Sequence, residues 1–103
     1  MSVLVILEVP AQEGRGPELR EIVVAMLAAT RERAGCRGAG AYLDAERPDT
    51  VVVVEEWAAR ADHEAYVAWR AEQGDPEGIG ALLAGAPATR YLELAGGAPL
   101  TAA

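Results

Sequence analysis

Four residues that could take part in chemistry lie close together in one stretch of the chain, residues 51–70. Trp57, His63, Tyr66 and Trp69 follow one another within about four helical turns. They include the only histidine and three of the five aromatic residues, which are two Trp and three Tyr. A histidine titrates near neutral pH and can act as a general base, and a tryptophan ring offers an apolar wall with one N–H donor. The stretch either fills a small core or lines a pocket.

A helix over the second half of this stretch would gather several of these side chains on one face. His63, Tyr66, Val67 and Arg70 follow the spacing i, i+3, i+4 and i+7, and Trp69 lies at one edge of the same arc. Alanine and glutamate occupy the opposite side. In one interpretation this face packs the core while the two charged side chains extend to its edge. In the other, polar groups converge on an apolar cavity.

Other residue types give weaker indications of chemistry. Glu55 and Glu56 are adjacent on a predicted strand, so their side chains point to opposite faces and cannot form an acid–base pair. Cys36 is the only cysteine, and we expect it to be a buried small apolar residue. The segment GCRGAG does not have the glycine spacing of a dinucleotide-binding loop. Neither a metal site nor a cofactor is predicted.

The hydrophobic pattern predicts the elements that must position these residues. Apolar runs predict strands, and apolar residues three and four apart predict helices, with Gly35 and Gly74 as their stops. In chain order, the predicted elements are a strand 2–9, a helix 17–34, strands 38–43 and 50–57, a helix 60–73, a short helix 75–83 and a strand 89–94. This order is the ferredoxin-like βαββαβ plan, an α+β fold with two helices on one face of an antiparallel sheet. We expect one domain over residues 1–94 and a loose tail over 95–103.

The first and third predicted strands are apolar on both faces. In the first strand Val3, Val5 and Val9 share one face, and Leu4 and Ile6 share the other. A sheet with one solvated face would instead alternate apolar with polar residues. Leaving the second set of Val, Leu and Ile side chains exposed would cost on the order of 1.5–3 kcal/mol each relative to burial. We therefore expect a homodimer that packs sheet against sheet, with two-fold symmetry.

The composition restricts which partners and which cellular location are expected. The chain of 103 residues has a net charge of −7, from 9 basic and 16 acidic residues, and such a surface repels phosphate backbones and anionic lipids. We therefore expect neither nucleic acid nor a membrane as a partner. The apolar N-terminal segment has no basic flank and is too short for a signal peptide or a membrane span. A cytoplasmic protein is expected.

The order and spacing of several residues resemble a known family. The sequence Glu-x-Trp at Glu55 and Trp57, a short turn, the helical sequence HEAYVAWR from His63, and a Gly-Cys pair before the second strand resemble the antibiotic biosynthesis monooxygenase domain over residues 3–94. The resemblance implies a dimeric ferredoxin-like α+β barrel. For many members it also implies oxygenation of hydroquinones, anthrones or related aromatic polyketides by O₂ without flavin, metal or haem. Other members degrade haem, isomerise small metabolites or have no known activity.

The resemblance implies roles for residues of this sequence. Trp57 and Glu55 match the family's Glu-x-Trp, and His63 stands where members acting on aromatic polyketides often have a polar ring residue facing the pocket. Tyr66 stands where many quinol-oxidising members have a histidine. We expect His63, Trp57 and Tyr66 to be catalytic, as base, ring wall and hydrogen-bond donor to a developing peroxide. The residues expected to bind substrate are Val53, Glu55, Trp69 and Arg70.

The expected function is cofactor-independent oxygenation of an aromatic, polyketide-like anthrone, hydroquinone or phenol in secondary metabolism, with O₂ as second substrate. An electron-rich phenolate or carbanion can itself reduce O₂, so the protein must bind the anion, exclude water and position O₂. Arg70 would stabilise the substrate oxyanion. We expect Trp57 and His63 to line one cavity between helices and sheet. The alternative is a cyclase or isomerase that uses His63 for acid–base chemistry, or a ligand-binding dimer without turnover.

Overall fold

The computed structural model describes residues 2–100 and contains the four strands and the two long helices that the sequence predicts, in the predicted order. Within this range the elements are β1 (Val3–Pro10), α1 (Gly16–Arg31), β2 (Cys36–Leu43), β3 (Thr50–Trp57), α2 (Arg60–Gln73), a 3₁₀ helix (Ile79–Leu82) and β4 (Ala88–Glu93). The strands form one antiparallel sheet in the order β2-β3-β1-β4. The predicted ferredoxin-like α+β fold is therefore confirmed.

The register of the sheet brings residues distant in sequence into one row. Val5 of β1 lies opposite Glu55 of β3 on one side and opposite Tyr91 of β4 on the other. Ala39 of β2 continues the row beyond Glu55. Because residues directly opposite one another point to the same face of a sheet, these four side chains all face the helices.

The inner face of the sheet and one side of α1 form the core. In β1 and β3 the odd-numbered side chains point inward, and Val3, Val5, Val51 and Val53 are at most 5% exposed. From α1, Leu19, Val23 and Leu27 pack in one cluster with Val51 and Val53. Val3 and Val5 pack with Trp57 in a second cluster. The structure thus decides which of the two apolar faces of each strand points inward, and β3 has the predicted bounds.

A tight turn fixes the start of α2 beside the end of α1. Gly35 has a φ of +86°, in the left-handed region that only glycine adopts at little cost. Its carbonyl accepts the backbone N–H of Ala58 at 2.7 Å. A Cβ at Gly35 would overlap the side chain of Asp62. The predicted helix over 17–34 is too long, since α1 ends at Arg31. Gly35 instead forms the turn that sets the position of α2, which begins at Arg60 as predicted.

The segment after α2 differs from the prediction. The sequence predicts a short helix over residues 75–83, but only Ile79–Leu82 is helical, as a 3₁₀ helix. Gly78 has a φ of +74° and interrupts any helix that starts at Asp75. The Asp75 carboxylate instead accepts two backbone N–H groups of the 3₁₀ segment at 2.8 Å each. The longer helix was therefore wrong, because a left-handed glycine lies inside it.

The outer face of the sheet has no helix over it within residues 2–100. Leu4, Ile6, Val52 and Val54 lie there and are partly exposed. After β4, residues 94–100 reach one corner of this face, where they share a groove of about 240 Å³ with Leu4 and its neighbours. The predicted tail over 95–103 thus lies beside that corner as far as residue 100, and its last three residues lie outside the described range. None of the helices between residues 2 and 100 has the length and apolar character needed to cross a membrane.

Candidate functional site

A cavity of about 420 Å³ lies between the helices and the inner face of the sheet. Its aliphatic walls come from Val5 of β1, Val53 of β3, and Val23 and Leu27 of α1. Residues 74–80, after α2, contribute a further side. Mostly apolar cavities of this size with a few convergent polar groups are typical small-molecule sites. The substrate-binding role expected of Val53 is compatible with its place in the wall.

Glu55 is the carboxyl group in the inner part of this cavity. The strand places it on the inner face of β3 between Val53 and Trp57, and it is 5% exposed. Its Oε1 accepts the indole N–H of Trp57 at 3.0 Å. Burial raises the pKa of the Glu55 carboxyl, while the Trp57 N–H and the positive charge of Arg70 act in the opposite direction. A carboxyl with a raised pKa in a cavity can accept and return a proton under mild conditions.

His63 lies on the inner side of α2, beside Glu55. It is 6% exposed and lines the cavity. Its Nδ1 is hydrogen-bonded to the Tyr91 hydroxyl at 2.7 Å, and its Nε2 lies 3.7 Å from Oε1 of Glu55. Burial lowers the pKa of His63; Glu64 opposes this shift and Arg60 adds to it. His63 thus lies on the side of α2 that faces the cavity, where its neutral form is favoured.

Tyr66 and Arg70 line the cavity one and two helical turns after His63. Arg70 donates from Nε to the Tyr66 hydroxyl at 2.8 Å and from Nη2 to the Met26 carbonyl at 3.0 Å. The Tyr66 hydroxyl is also hydrogen-bonded to Thr30 Oγ1 at 2.8 Å. Both polar ends are therefore held by α1. The roles expected of them, donation to a peroxide and stabilisation of an oxyanion, compete with these contacts.

Trp57 does not line the cavity, contrary to the expectation that it shares the wall with His63. It is fully buried and packs with Val3 and Val5. Its ring centroid lies 5.5 Å from that of His63 and 5.2 Å from that of Tyr66. The physical reason is depth: Trp57 ends a strand on the inner face, so that residues of α2 cover it. Trp57 lies beneath the site and stabilises it through ring contacts with His63 and Tyr66 and a hydrogen bond to Glu55.

Trp69 is also outside the cavity, although the sequence suggested that it binds substrate. It lies at the edge of the α2 arc, half-buried, with the Arg33 guanidinium 4.5 Å from the centre of its ring. Its ring stacks on Tyr66 at a centroid distance of 6.2 Å. At this position Trp69 packs α2 toward the end of α1, where a cation–π contact stabilises it.

Tyr91 and Thr30 take part in the site but were not identified from the sequence. Tyr91 reaches His63 only because β4 pairs with β1, and Thr30 reaches Tyr66 only because α1 packs beside α2. Neither has a motif that would single it out. The signal that was present for Thr30 is its place on the apolar face of α1, where a fully buried hydroxyl requires a partner.

Residues that could hold a metal do not cluster. Among residues 2–100, no group of three or more His, Cys, Asp and Glu side chains lies close enough to bind one ion. Cys36 begins β2, is half-buried and packs against the cluster around Trp57. Burial raises the pKa of its thiol. The interpretation of Cys36 as a small apolar residue is consistent with this environment.

Comparison with known proteins relates the chain to one family. Residues 2–71 match the family model described as antibiotic biosynthesis monooxygenase. No curated protein gives a significant sequence match to the chain.

Solved structures show the same fold over nearly the whole chain. The structure of Rv0793 from Mycobacterium tuberculosis is 25% identical with a TM-score of 0.74, and the match covers 96% of this chain and 100% of that one. The protein of unknown function NE2512 from Nitrosomonas europaea is 20% identical with a TM-score of 0.80, covering 99% and 96%. A crystal structure named antibiotic biosynthesis monooxygenase is 17% identical with a TM-score of 0.77, covering 91% and 99%.

Proposed function

The chain belongs to the antibiotic biosynthesis monooxygenase family, and we propose that it is a cofactor-independent monooxygenase of secondary metabolism. Its substrates would be O₂ and an electron-rich aromatic compound of the anthrone, hydroquinone or phenol type. The observation that carries the proposal is the convergence of Glu55 and His63 on an aliphatic cavity of about 420 Å³. An aromatic ring fits such walls, and the carboxyl–imidazole pair can remove its acidic proton.

The chemistry requires the protein to move protons and exclude water. For an anthrone, loss of one proton leaves an electron pair that forms a C–O bond with O₂, and the resulting peroxide anion takes a proton. Loss of the second C–H proton then breaks the O–O bond, which leaves a ketone and hydroxide, released as water. The carbon is oxidised by four electrons and O₂ is reduced by four. The dry walls around Val53 and Val5 would protect the intermediate carbanion from water.

A second function is supported by the same pair of side chains. Glu55 and His63 lie within 3.7 Å of each other, so one could take a proton from a substrate while the other gives one back. This arrangement would also serve an isomerase or cyclase that does not consume O₂. Uptake of O₂ with product formation separates the two functions directly.

We also propose that the protein acts as a homodimer through the outer face of the sheet. Leu4, Ile6, Val52 and Val54 form an apolar surface there, and a second copy would bury the same surface on both partners. The cavity lies on the opposite side of the sheet, so each subunit would contain a complete site.

The oxygenase proposal is tested by O₂ uptake with a panel of anthrones and hydroquinones, using chelator-treated protein. Wild-type protein should consume O₂ in proportion to product. Val67→Trp should lower kcat/KM at least about tenfold, because Val67 is 49% exposed and lines the cavity, so that a large ring there blocks it. Val24→Trp is the matched control, since Val24 is 52% exposed on α1 and is not part of the wall.

Two outcomes would contradict the oxygenase proposal. The first is substrate conversion with no O₂ consumed, which would favour the isomerase or cyclase. The second is activity that chelator treatment abolishes and one specific metal ion restores.

A further inference from the structure

One oxygen of the Glu55 carboxyl, which belongs to the cavity lining, has no hydrogen-bond partner among residues 2–100. Oε1 accepts the Trp57 N–H, but no residue between 2 and 100 donates a hydrogen bond to Oε2. In the same range, every fully buried polar side-chain atom has a partner. Oε2 must therefore retain accessible surface, and Glu55 lines the cavity. A side chain that is only 5% exposed thus presents an unpaired acceptor to whatever the cavity binds.

The neighbouring histidine is held so that it presents a proton rather than a lone pair. A neutral imidazole has one N–H, and the tautomer depends on the partners of its two nitrogens. Nε2 of His63 lies 3.7 Å from Oε1 of Glu55. A carboxylate at that distance repels a nitrogen lone pair and attracts an N–H. The ionised form of Glu55 therefore favours the tautomer of His63 with its proton on Nε2.

Tyr91 supports the same tautomer from the other side of the ring. Its hydroxyl lies 2.7 Å from Nδ1 of His63. In this tautomer Nδ1 carries no proton and accepts a hydrogen bond from the Tyr91 hydroxyl. The Arg60 guanidinium lies 4.0 Å from the centre of the Tyr91 ring. A cation over the ring stabilises electron density on the phenol oxygen and so strengthens its O–H as a donor. Glu55 of β3 and Tyr91 of β4 therefore both favour the tautomer of His63 that has its proton on Nε2.

We propose that Glu55, rather than His63, accepts a hydroxyl proton from the substrate, and that His63 donates its Nε2–H to the oxygen left behind. In this step the substrate O–H bond breaks, the proton forms a bond to Oε2 of Glu55, and the electron pair remains on the substrate oxygen. That oxide accepts the hydrogen bond from His63. The assignment rests on the proposed function and narrows its substrate class to phenols and enols with a free hydroxyl, since a methyl ether has no proton to give.

The charged and titratable groups around Glu55 are compatible with this role. From α2, His63 is favoured in its neutral form and Arg70 attracts negative charge. From β2, burial raises the pKa of the Cys36 thiol, and the negative charge of Glu55 raises it further. From β4, Tyr91 contacts Glu55 only through His63. Burial destabilises the negative charge of Glu55 more than these groups stabilise it, so that its pKa is raised and protonation of the carboxylate is favoured.

The direct test uses 4-nitrophenol, whose phenolate absorbs visible light. Its binding to wild-type protein, below the pKa of the free phenol, should produce the phenolate band. Infrared difference spectra should show a new protonated carboxyl group at the same time. Glu55→Gln should lose the carboxyl signal, because the amide keeps the acceptor for Trp57 but cannot titrate. Glu72→Gln, on the exposed side of α2, is the matched control and should behave as wild type.

The variant His63→Gln shows whether Glu55 or His63 accepts the proton. His63→Gln should retain the carboxyl signal, since an amide N–H can still donate to the oxide. The methyl ether 4-nitroanisole should give neither signal with any variant. The proposal is overturned if wild-type protein binds phenolate without protonation of a carboxyl, if it gives no phenolate band, or if the carboxyl signal persists in Glu55→Gln.

Kinetics provide a second readout on an active substrate. Glu55→Gln should lower kcat by about 10²–10⁴-fold with little change in KM, and His63→Gln should lower it less. The reverse order of the two variants would make His63 the acceptor. The spectroscopic experiment needs no O₂ turnover, so it can support the proton transfer even if the oxygenase function fails.

Discussion

At the level of single residues, burial moves the pKa values of two neighbours in opposite directions. It raises the pKa of Glu55 and lowers that of His63, because in both cases the charged form loses hydration. The two groups are 3.7 Å apart. The pair therefore resists becoming an ion pair and is poised to exchange protons with a ligand.

The pKa shift of His63 predicts how stability depends on pH. Its folded pKa lies below the ordinary histidine value of 6.5, so the unfolded chain binds more protons between these two pKa values. The free energy of unfolding should therefore decrease as the pH falls below about 6.5. In His63→Gln this contribution disappears. Urea unfolding of both proteins from about pH 8 to about pH 5 measures the difference.

Glu55 makes stability change with pH in the opposite direction to His63, and it is present in both wild type and His63→Gln. Its folded pKa lies above 4.5, so the folded state binds more protons above that value, and stability falls as the pH rises through this window. Comparing wild type with His63→Gln therefore isolates the histidine. Parallel stability curves for the two proteins across the whole range would show that His63 is not buried as described.

At the level of elements, a small hydrogen-bond network joins the two helices. Arg70 and Tyr66 of α2 bond to one another, and together they contact Thr30 and the Met26 carbonyl of α1. Arg70 also lies 5.3 Å from the centre of the Tyr66 ring. Since these groups line the cavity, the network holds its two helical walls at a fixed separation.

Removing one hydroxyl from this network should therefore lower stability. In Tyr66→Phe, Arg70 loses the acceptor of its Nε–H and Thr30 loses a partner. We expect the free energy of unfolding to fall by about 1.5–3 kcal/mol, because a bond to a charged group is lost in a partly buried place. Tyr42→Phe is the control, with 61% of Tyr42 exposed on β2, and should change stability by less than about 0.5 kcal/mol.

The same variant tests the role that the sequence suggested for Tyr66. If its hydroxyl served mainly to donate to a peroxide, Tyr66→Phe would lose turnover while keeping the stability of wild type. Chemical denaturation together with O₂ uptake distinguishes the two roles.

At the level of the whole molecule, the outer face of the sheet predicts dimerisation. Val54 lies in a central strand of that face, opposite Ile6. Val54→Glu should convert a dimer to a monomer in light scattering, because two carboxylates would be buried at a two-fold interface. Val24→Glu places the same charge on an exposed position of α1 and should leave the dimer intact.

A monomeric wild-type protein at micromolar concentration would remove the proposal of a dimer. So would a dimer that Val54→Glu leaves intact, since the interface would then lie elsewhere on the molecule.

The sequence alone determined the fold and the inner side of the helices, but not which face of the doubly apolar strands points inward. The apolar strands, the helical spacing around His63 and the glycine that ends α2 are local patterns, and each depends only on residues close together in the sequence. These patterns gave β3 and α2 their correct bounds. They failed at residues 75–83, because the left-handed conformation of Gly78 is decided by the path of the chain.

Only the tertiary structure decided which of the inward side chains reach the cavity. Periodicity shows which way a side chain points but not how deeply it is buried. The sequence therefore did not distinguish Trp57 from His63, although α2, which carries His63, covers Trp57. Likewise, Glu55 of β3 meets His63 of α2, and His63 meets Tyr91 of β4, through strand register and helix packing. Contacts between residues distant along the chain leave no spacing in the sequence. For this reason Glu55 was expected to bind substrate, but its pairing with His63 emerged only from the fold.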